Sequence, residues 1–244
     1  MQAPLRRRSL LAAGGAAFLP ATTARAAGEE AVDLLLVLAV DVSRSIDEDE
    51  ARLQRQGYRE AMSDPRVVEA IRSGMLGSIA VAYVEWAGWD YQRVVIPWTR
   101  IGGRAEAETW SATLAEAPRV SLSWTSISGG LEAARRALAD CPFEGTRRVV
   151  DVSGDGVNNS GPPVEGVRDV LVAEGVIING LPIMNDRPGW GRMPLMPLDV
   201  YFGQSVVGGD GSFVIAAEDF DTFGSAVRRK LVREIAALPG PSFG

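Results

Sequence analysis

Leu34-Leu35-Leu36-Val37-Leu38-Ala39-Val40-Asp41-Val42-Ser43-Arg44-Ser45 is the stretch on which the fold is decided. The run from Leu34 to Val40 is apolar without alternation, the pattern of a strand buried on both faces in a parallel sheet. At its end the chain sets one carboxylate and two hydroxyls at alternate positions, Asp41, Ser43 and Ser45. All three are hard oxygen donors, the type that Mg²⁺ or Mn²⁺ prefers and that Ca²⁺ also accepts. Ser and Asp are equally at home capping a following helix, and Asp47 offers the same service. These residues alone leave both readings open.

Moving outward, strand and helix patterns alternate. Residues 27–32 are a short polar lead-in. Ile46 to Met62 reads as a helix with four acids, Asp47 to Glu50, in its first turn, where the helix dipole favours them. Pro65 to Arg72 reads as a short helix, and Ile79 to Trp86 as a second strand. The turn Ala87-Gly88-Trp89-Asp90 is short enough to make Arg93 to Trp98 an antiparallel partner. Helices are expected over Arg104 to Ala115, Ile127 to Ala139, Val164 to Ala173 and Asp219 to Leu238, and strands over Arg148 to Val152, Val176 to Leu181 and Phe213 to Ala216. The Gly- and Pro-rich stretch from Met184 to Ser212 reads as an insertion. The expected fold is α/β and doubly wound: a mostly parallel six-stranded sheet with one antiparallel edge strand and helices on both faces. With no internal repeat, residues 27–244 form a single domain.

This topology gathers distant residues. The first two strands run the same way, and the hairpin reverses the third. The helix from Arg104 then climbs, leaving Ala117 to Thr125 on the same rim as Asp41. The fourth strand rises to Asp155. Asp41, Ser43, Ser45, Thr125 and Asp155 should therefore share the C-terminal rim, where open α/β sheets bind ligands. Taken singly, Thr125 suits a cap for the Ile127 helix and Asp155-Gly156 suits a turn; Asn158-Asn159-Ser160 suit added ligands or, in preference, ordinary turn chemistry.

Asp41-x-Ser43-x-Ser45, Thr125 opening Thr-Ser-Ile-Ser-Gly-Gly-Leu, and Asp155-Gly156 after an apolar strand together resemble the metal-ion-dependent adhesion site of von Willebrand factor A (VWA) domains. The resemblance covers nearly all of residues 32–238. Arg148 to Gly156 and the ending from Asp219-Phe220 are most similar to a bacterial group of exported A-like proteins of unknown function. The resemblance implies that Ser43, Ser45 and Thr125 offer hydroxyl oxygens to a divalent ion. It implies that Asp41 and Asp155 hold the ion directly or through water, with one position open for a partner's carboxylate. Trp86, Trp89, Tyr91 and Asn158 are candidates for a partner-binding surface beside it; the aromatic three equally suit covering the sheet edge. Trp124 is expected to pack its loop, and Asp151 to pair with Arg147 or Arg148. Trp190 and Met193-Pro194-Leu195-Met196 suit either a second contact surface or a private core of the insertion.

Composition narrows the chemistry. The chain of 244 residues contains no histidine, which excludes His-based acid–base catalysis, Ser-His-Asp and Cys-His systems and His-ligated zinc. The single cysteine, Cys141, can form no internal disulfide. Residues 1–26 have a basic n-region, a short apolar region and an Ala24-Arg25-Ala26 cleavage site, the form of a signal peptide. Arg7-Arg8-Ser9-Leu10-Leu11 resembles a twin-arginine export signal; an ordinary Sec signal is the alternative. The apolar region is too short to span a bilayer, and so is every later run. The expected location is the bacterial periplasm or the exterior. Cleavage near Ala26 removes four of the 25 basic residues and none of the 31 acids, taking the net charge from −6 to −10. That balance disfavours nucleic acid and anionic lipid as partners.

Three functions of different class fit. The first is a non-catalytic module that binds a protein partner's acidic residue through a divalent cation. The second is a metal-dependent hydrolase or phosphatase using Asp41. Against it, the second position along is Ser43 where haloacid-dehalogenase-type enzymes hold an Asp, and neither a Gly-x-Ser-x-Gly elbow nor a phosphate-binding Gly-rich Lys loop is present. The third is a scaffold that the metal merely stabilises.

Overall fold

Every residue of Leu34–Asp41 is buried, as an unbroken apolar run requires. The computed structural model describes residues 30–184 and 196–236. In chain order these form β1 (Glu30–Val32), β2 (Leu34–Asp41), α1 (Glu48–Met62), α2 (Pro65–Arg72), β3 (Ile79–Trp86), β4 (Gln92–Ile101), α3 (Arg104–Glu116), α4 (Ile127–Ala139), β5 (Phe143–Gly145), β6 (Arg148–Gly154), α5 (Val164–Ala173), β7 (Ile177–Pro182), α6 (Leu198–Tyr201), a π-helical turn (Phe202–Val206) and α7 (Phe220–Ala236).

The main sheet has the order β4-β3-β2-β6-β7. β2 is central and parallel to both β3 and β6, and β4 is the one antiparallel strand, at the edge. Side chains alternate across β2, so two cores form. Leu34, Leu36, Leu38 and Val40 meet Tyr58, Ile71, Trp110 and Phe223 of α1, α2, α3 and α7. Val37 and Ala39 meet Ile127, Leu131, Leu171 and Phe202, from α4, α5 and the π-helical turn. Helices thus cover both faces, as the alternation of β2 between two apolar sides demands.

The main sheet has five strands where six are expected. Phe213 to Ala216 does run beside β7, with Ile215 N–H donating to Gly180 O and Ala217 N–H to Pro182 O, both at 3.0 Å. Only isolated bridges result, Gly180 to Val214 and Ile183 to Ala217. Two features break the ladder. Pro182 has no N–H to contribute, and the N–H of Phe213 is taken by the side-chain oxygen of Asn179. A further pair, β1 with β5, forms a separate two-stranded parallel sheet. Three residues each are too few to show a period in sequence, and β1 lies within the polar lead-in.

The described part of the Gly- and Pro-rich stretch completes a core. Phe202 and Val206 are buried against the α4–α5 layer. Gly180 makes room for them: a Cβ there would lie 2.8 Å from the Phe202 ring. The expected signal peptide, Trp190, Met193 to Leu195 and the expected end of the last helix beyond Ala236 lie outside the described residues. Among the described residues no helix is long and apolar enough to cross a membrane.

Candidate metal centre

β2 delivers Asp41 to the C-terminal rim between Trp86 of β3 and the end of β6. The residues after it turn outward, and the loop before α4 comes alongside, Leu122 N–H donating to Val42 O at 3.3 Å. The structure brings all five expected oxygen donors together. Thr125 Oγ1 donates to Ser43 Oγ at 3.4 Å, Ser43 Oγ and Ser45 Oγ are hydrogen-bonded at 3.0 Å, and Ser45 Oγ donates to Asp155 Oδ1 at 2.7 Å. Asp41, Ser43 and Thr125 are buried, whereas Ser45 is exposed and Asp155 half-buried. The set is deep on one side and open on the other.

Capping is performed by neighbours, which removes the alternative reading of these residues. Asp47 caps α1 in a reciprocal box with Glu50. Ser126 caps α4 by accepting from Gly129 N–H at 3.1 Å. Neither Asp41 nor Thr125 is the capping residue of a helix.

Asp41 carries the electrostatic peculiarity of the site. Its Oδ1 accepts from Ser43 N–H at 2.7 Å, while its Oδ2 is buried and accepts no hydrogen bond. Burial, and then the charge of Asp155, push its pKa well above the usual carboxylate range. Gly154 allows this close approach, since a Cβ there would lie 3.0 Å from Asp41 Oδ2. A buried carboxylate oxygen without a partner is costly, and a cation is the group that relieves it. Among the described residues no three of His, Cys, Asp or Glu gather. The donors here are instead two carboxylates and three hydroxyls, a hard set suited to a divalent ion. On this test the residues fit the ion.

The sequence offers Asn159 as a ligand or a turn residue and misses its part in fixing Thr125. Its side-chain oxygen accepts from Thr125 N–H at 2.8 Å, and its own N–H donates to Thr125 O at 2.8 Å. It fixes Thr125 from both ends. The neighbour Asn158, expected at a contact surface, is spent internally. Its oxygen accepts from Ser128 N–H at 3.0 Å, and its amide donates to Pro162 O at 3.1 Å. Two adjacent asparagines in a turn give no sequence signal of which one faces the donors.

The aromatic residues need correction too. Trp86 is fully buried and belongs to the core, lying on Gly130, where a Cβ would come within 2.7 Å of its ring. Tyr91 is half-buried with its hydroxyl out of solvent. Trp89 remains on the surface at 44% exposure. Trp124 does not pack its loop: it is 66% exposed and holds a positive φ of 73°. Backbone strain of that kind in a bulky residue marks an over-determined loop. Asp151 pairs with neither Arg147 nor Arg148 but with Lys230 of α7, at 2.6 Å. The two arginines instead donate to main-chain carbonyls, Arg147 to Glu234 and Ile235, Arg148 to Glu174.

The fold has solved relatives. Proximal thread matrix protein 1 (PTMP1) from the mussel byssus, "with zinc occupied MIDAS motif", superimposes with a TM-score of 0.58 at 18% identity, over 84% of this chain and 46% of that one. The pilus adhesin SpaC from Lactobacillus rhamnosus GG gives 0.59 at 14% identity, over 84% and 31%. A von Willebrand factor type A protein from Catenulispora acidiphila gives 0.54 at 16%, over 84% and 43%. The chain thus spans about half the length of these relatives or less. No curated protein shows significant similarity to it. The likenesses show the fold to be that of a VWA domain, and the match over residues 31–239 places the chain in the family described as protein of unknown function, DUF1194.

Proposed function

We propose that this domain is an exported, non-catalytic binding module that engages a carboxylate of a protein partner through a divalent cation held at the rim. The observation that carries the reading is the buried Asp41 Oδ2, which receives no hydrogen bond although Asp41 Oδ1 is tied to Ser43, the start of the hydrogen-bonded set Thr125–Ser43–Ser45–Asp155. Asp41, Ser43, Ser45, Thr125 and Asp155 would hold the ion, Mg²⁺ or Mn²⁺ by donor chemistry, with Ca²⁺ also compatible. The zinc-occupied motif of the mussel relative and the adhesin role of the pilus relative support a divalent ion and a protein ligand.

When bound, the ion supplies a Lewis-acidic position for an incoming carboxylate. The chain's own residues prepare it. Asp41 contributes charge from below, and Asn159 keeps the Thr125 hydroxyl in place. Ser45 and Asp155 stand at the open side, where a ligand arrives. Trp89 and Trp124, exposed on adjoining loops, offer apolar contact beside it. Phosphoryl transfer to Asp41 is disfavoured, because its Oδ1 is occupied by Ser43 N–H and the carboxylate is wholly buried. Residues 1–26 are read as the signal peptide that takes the domain to the periplasm or beyond.

Calorimetric titration of the processed chain with Mg²⁺ and Mn²⁺ tests the first half. Binding by the wild type and its loss in Asp41→Ala are expected; equal binding by both would sink the reading. Capture from periplasmic extract with and without EDTA, with Asp41→Ala as control, tests the second half. A partner retained equally under all three conditions would show that the contact does not use the ion.

A further inference from the structure

Behind the rim, β6 and β7 meet α7 through a polar cluster with no access to solvent. Lys230 of α7 places its Nζ 2.6 Å from Asp151 Oδ1 of β6, and both side chains are wholly buried. One turn further along α7, Glu234 Oε1 also pairs with Lys230 Nζ. Asn179 of β7 donates to that same Glu234 oxygen at 2.8 Å. The Phe213 ring lies over the cluster, 5.5 Å from Nζ to its centroid.

As an ion triad this arrangement is poorly satisfied. Among the described residues Lys230 is the one group that approaches the Asp151 carboxyl, at 2.6 Å, and the carboxyl's other oxygen has no donor. Glu234 Oε2 also lacks a partner. Buried carboxylates normally collect several donors. Two carboxylates against one ammonium also leave a net buried charge, which is relieved when one carboxyl keeps its proton. Burial raises the pKa of Asp151 to about 7, with Glu234 adding to the rise and Lys230 opposing it. A neutral acid therefore stands against an amine whose proton has a carboxylate to go to. Held in contact and away from water, these are reactants at high effective concentration for amide condensation.

We propose that Lys230 and Asp151 become joined by an intramolecular isopeptide bond, with Glu234 carrying the proton. Glu234 takes one proton from the Lys230 ammonium. The freed amine attacks Asp151 Cγ, and the carbon–nitrogen bond forms as a carbon–oxygen bond breaks. The acid's hydroxyl leaves as water with the second proton lost by nitrogen. Before the step the cluster holds one ammonium, one neutral acid and one carboxylate; after it, an amide and a protonated Glu234. It is neutral throughout, and no oxidant or cofactor is needed. The bond would fasten α7 covalently to the strand that leads to Asp155.

Intact mass of the purified chain, referred to the N-terminus sequenced from the same sample, tests this. The expected mass is lower than that of the sequence by one water. Trypsin should release Val149–Arg168 joined to Lys230–Arg233, with no cleavage after Lys230. Asp151→Ala and Glu234→Gln should both have the full sequence mass, which is readable whether or not they fold well. Wild type at full mass, with cleavage after Lys230 and the two peptides separate, overturns the proposal. A Glu234→Gln chain still lighter by a water at the same linkage overturns the role given to Glu234.

Discussion

Asp41 and Asp151 are both carboxylates of the central sheet with no exposure to solvent, one at the end of β2 and one midway along β6. Burial is the first cause of a raised pKa at both. They differ in what the chain supplies in return. Asp151 is given a lysine by α7, whereas Asp41 is given hydroxyls and a main-chain N–H, none of which carries positive charge. The interior carboxylate meets its one cation within the protein. The rim carboxylate is placed where compensation can come from outside. A buried acid therefore reads as structural or functional by the charge of its neighbours, not by its burial.

The widest separation of the two should come from Lys230→Met. It removes the proposed link to Asp151 and leaves Asp151 and Glu234 buried without their cation, at a cost of about 3–5 kcal/mol. Denaturant unfolding in EDTA should show that loss, while Mn²⁺ affinity measured on the folded fraction stays at the wild-type value. Next comes ion addition. At about a hundredfold excess over the dissociation constant, a divalent ion should stabilise the wild type by about 2.7 kcal/mol and leave the melting temperature of Asp41→Ala unmoved. An equal rise in both would erase the proposed distinction between the sites.

A smaller effect tests how the rim is held. Asn159→Ala should weaken ion binding about tenfold, roughly 1.4 kcal/mol, since Thr125 loses the side-chain acceptor that fixes its N–H. Asn158→Ala should instead register as lost stability, with ion affinity kept. The smallest effect is the dependence of ion-free stability on pH. Asp41 keeps its proton to higher pH in the folded chain than in the unfolded one. Its contribution to stability is therefore complete below the ordinary carboxylate pKa and is lost as pH rises through the folded value. Melting in EDTA should accordingly decline over that range more in wild type than in Asp41→Asn. Saturating Mg²⁺ should abolish the difference, because the ion favours the ionised form.

Much of this was legible in the residues, for identifiable reasons. β2 declares itself because a strand buried on both faces cannot hide its composition. The single short turn at Ala87 to Asp90 fixes the direction of everything after it, and so the rim on which Thr125 falls. The misses lie where one residue's neighbour decides. Trp86 ends an apolar strand and could face either way; Gly130, far along the chain, opens the space that takes it inward. The sixth strand fails on one proline and one asparagine of β7. Asp151 looks to Arg147 and Arg148 in sequence, but Lys230 reaches it only because α7 packs across β6.

The hydrogen bond from Ser45 to Asp155 joins residues 110 positions apart. The donor set is thus a product of late assembly, since loops this long must close before either end gains anything from the other. The first third of the chain carries Asp41, Ser43 and Ser45 and the middle third carries Thr125 and Asp155, so neither has a site of its own. Uptake of an ion during refolding should therefore track the final docking of β6 against β2 rather than early collapse. That would make the rim a built-in reporter of whether the domain has finished folding.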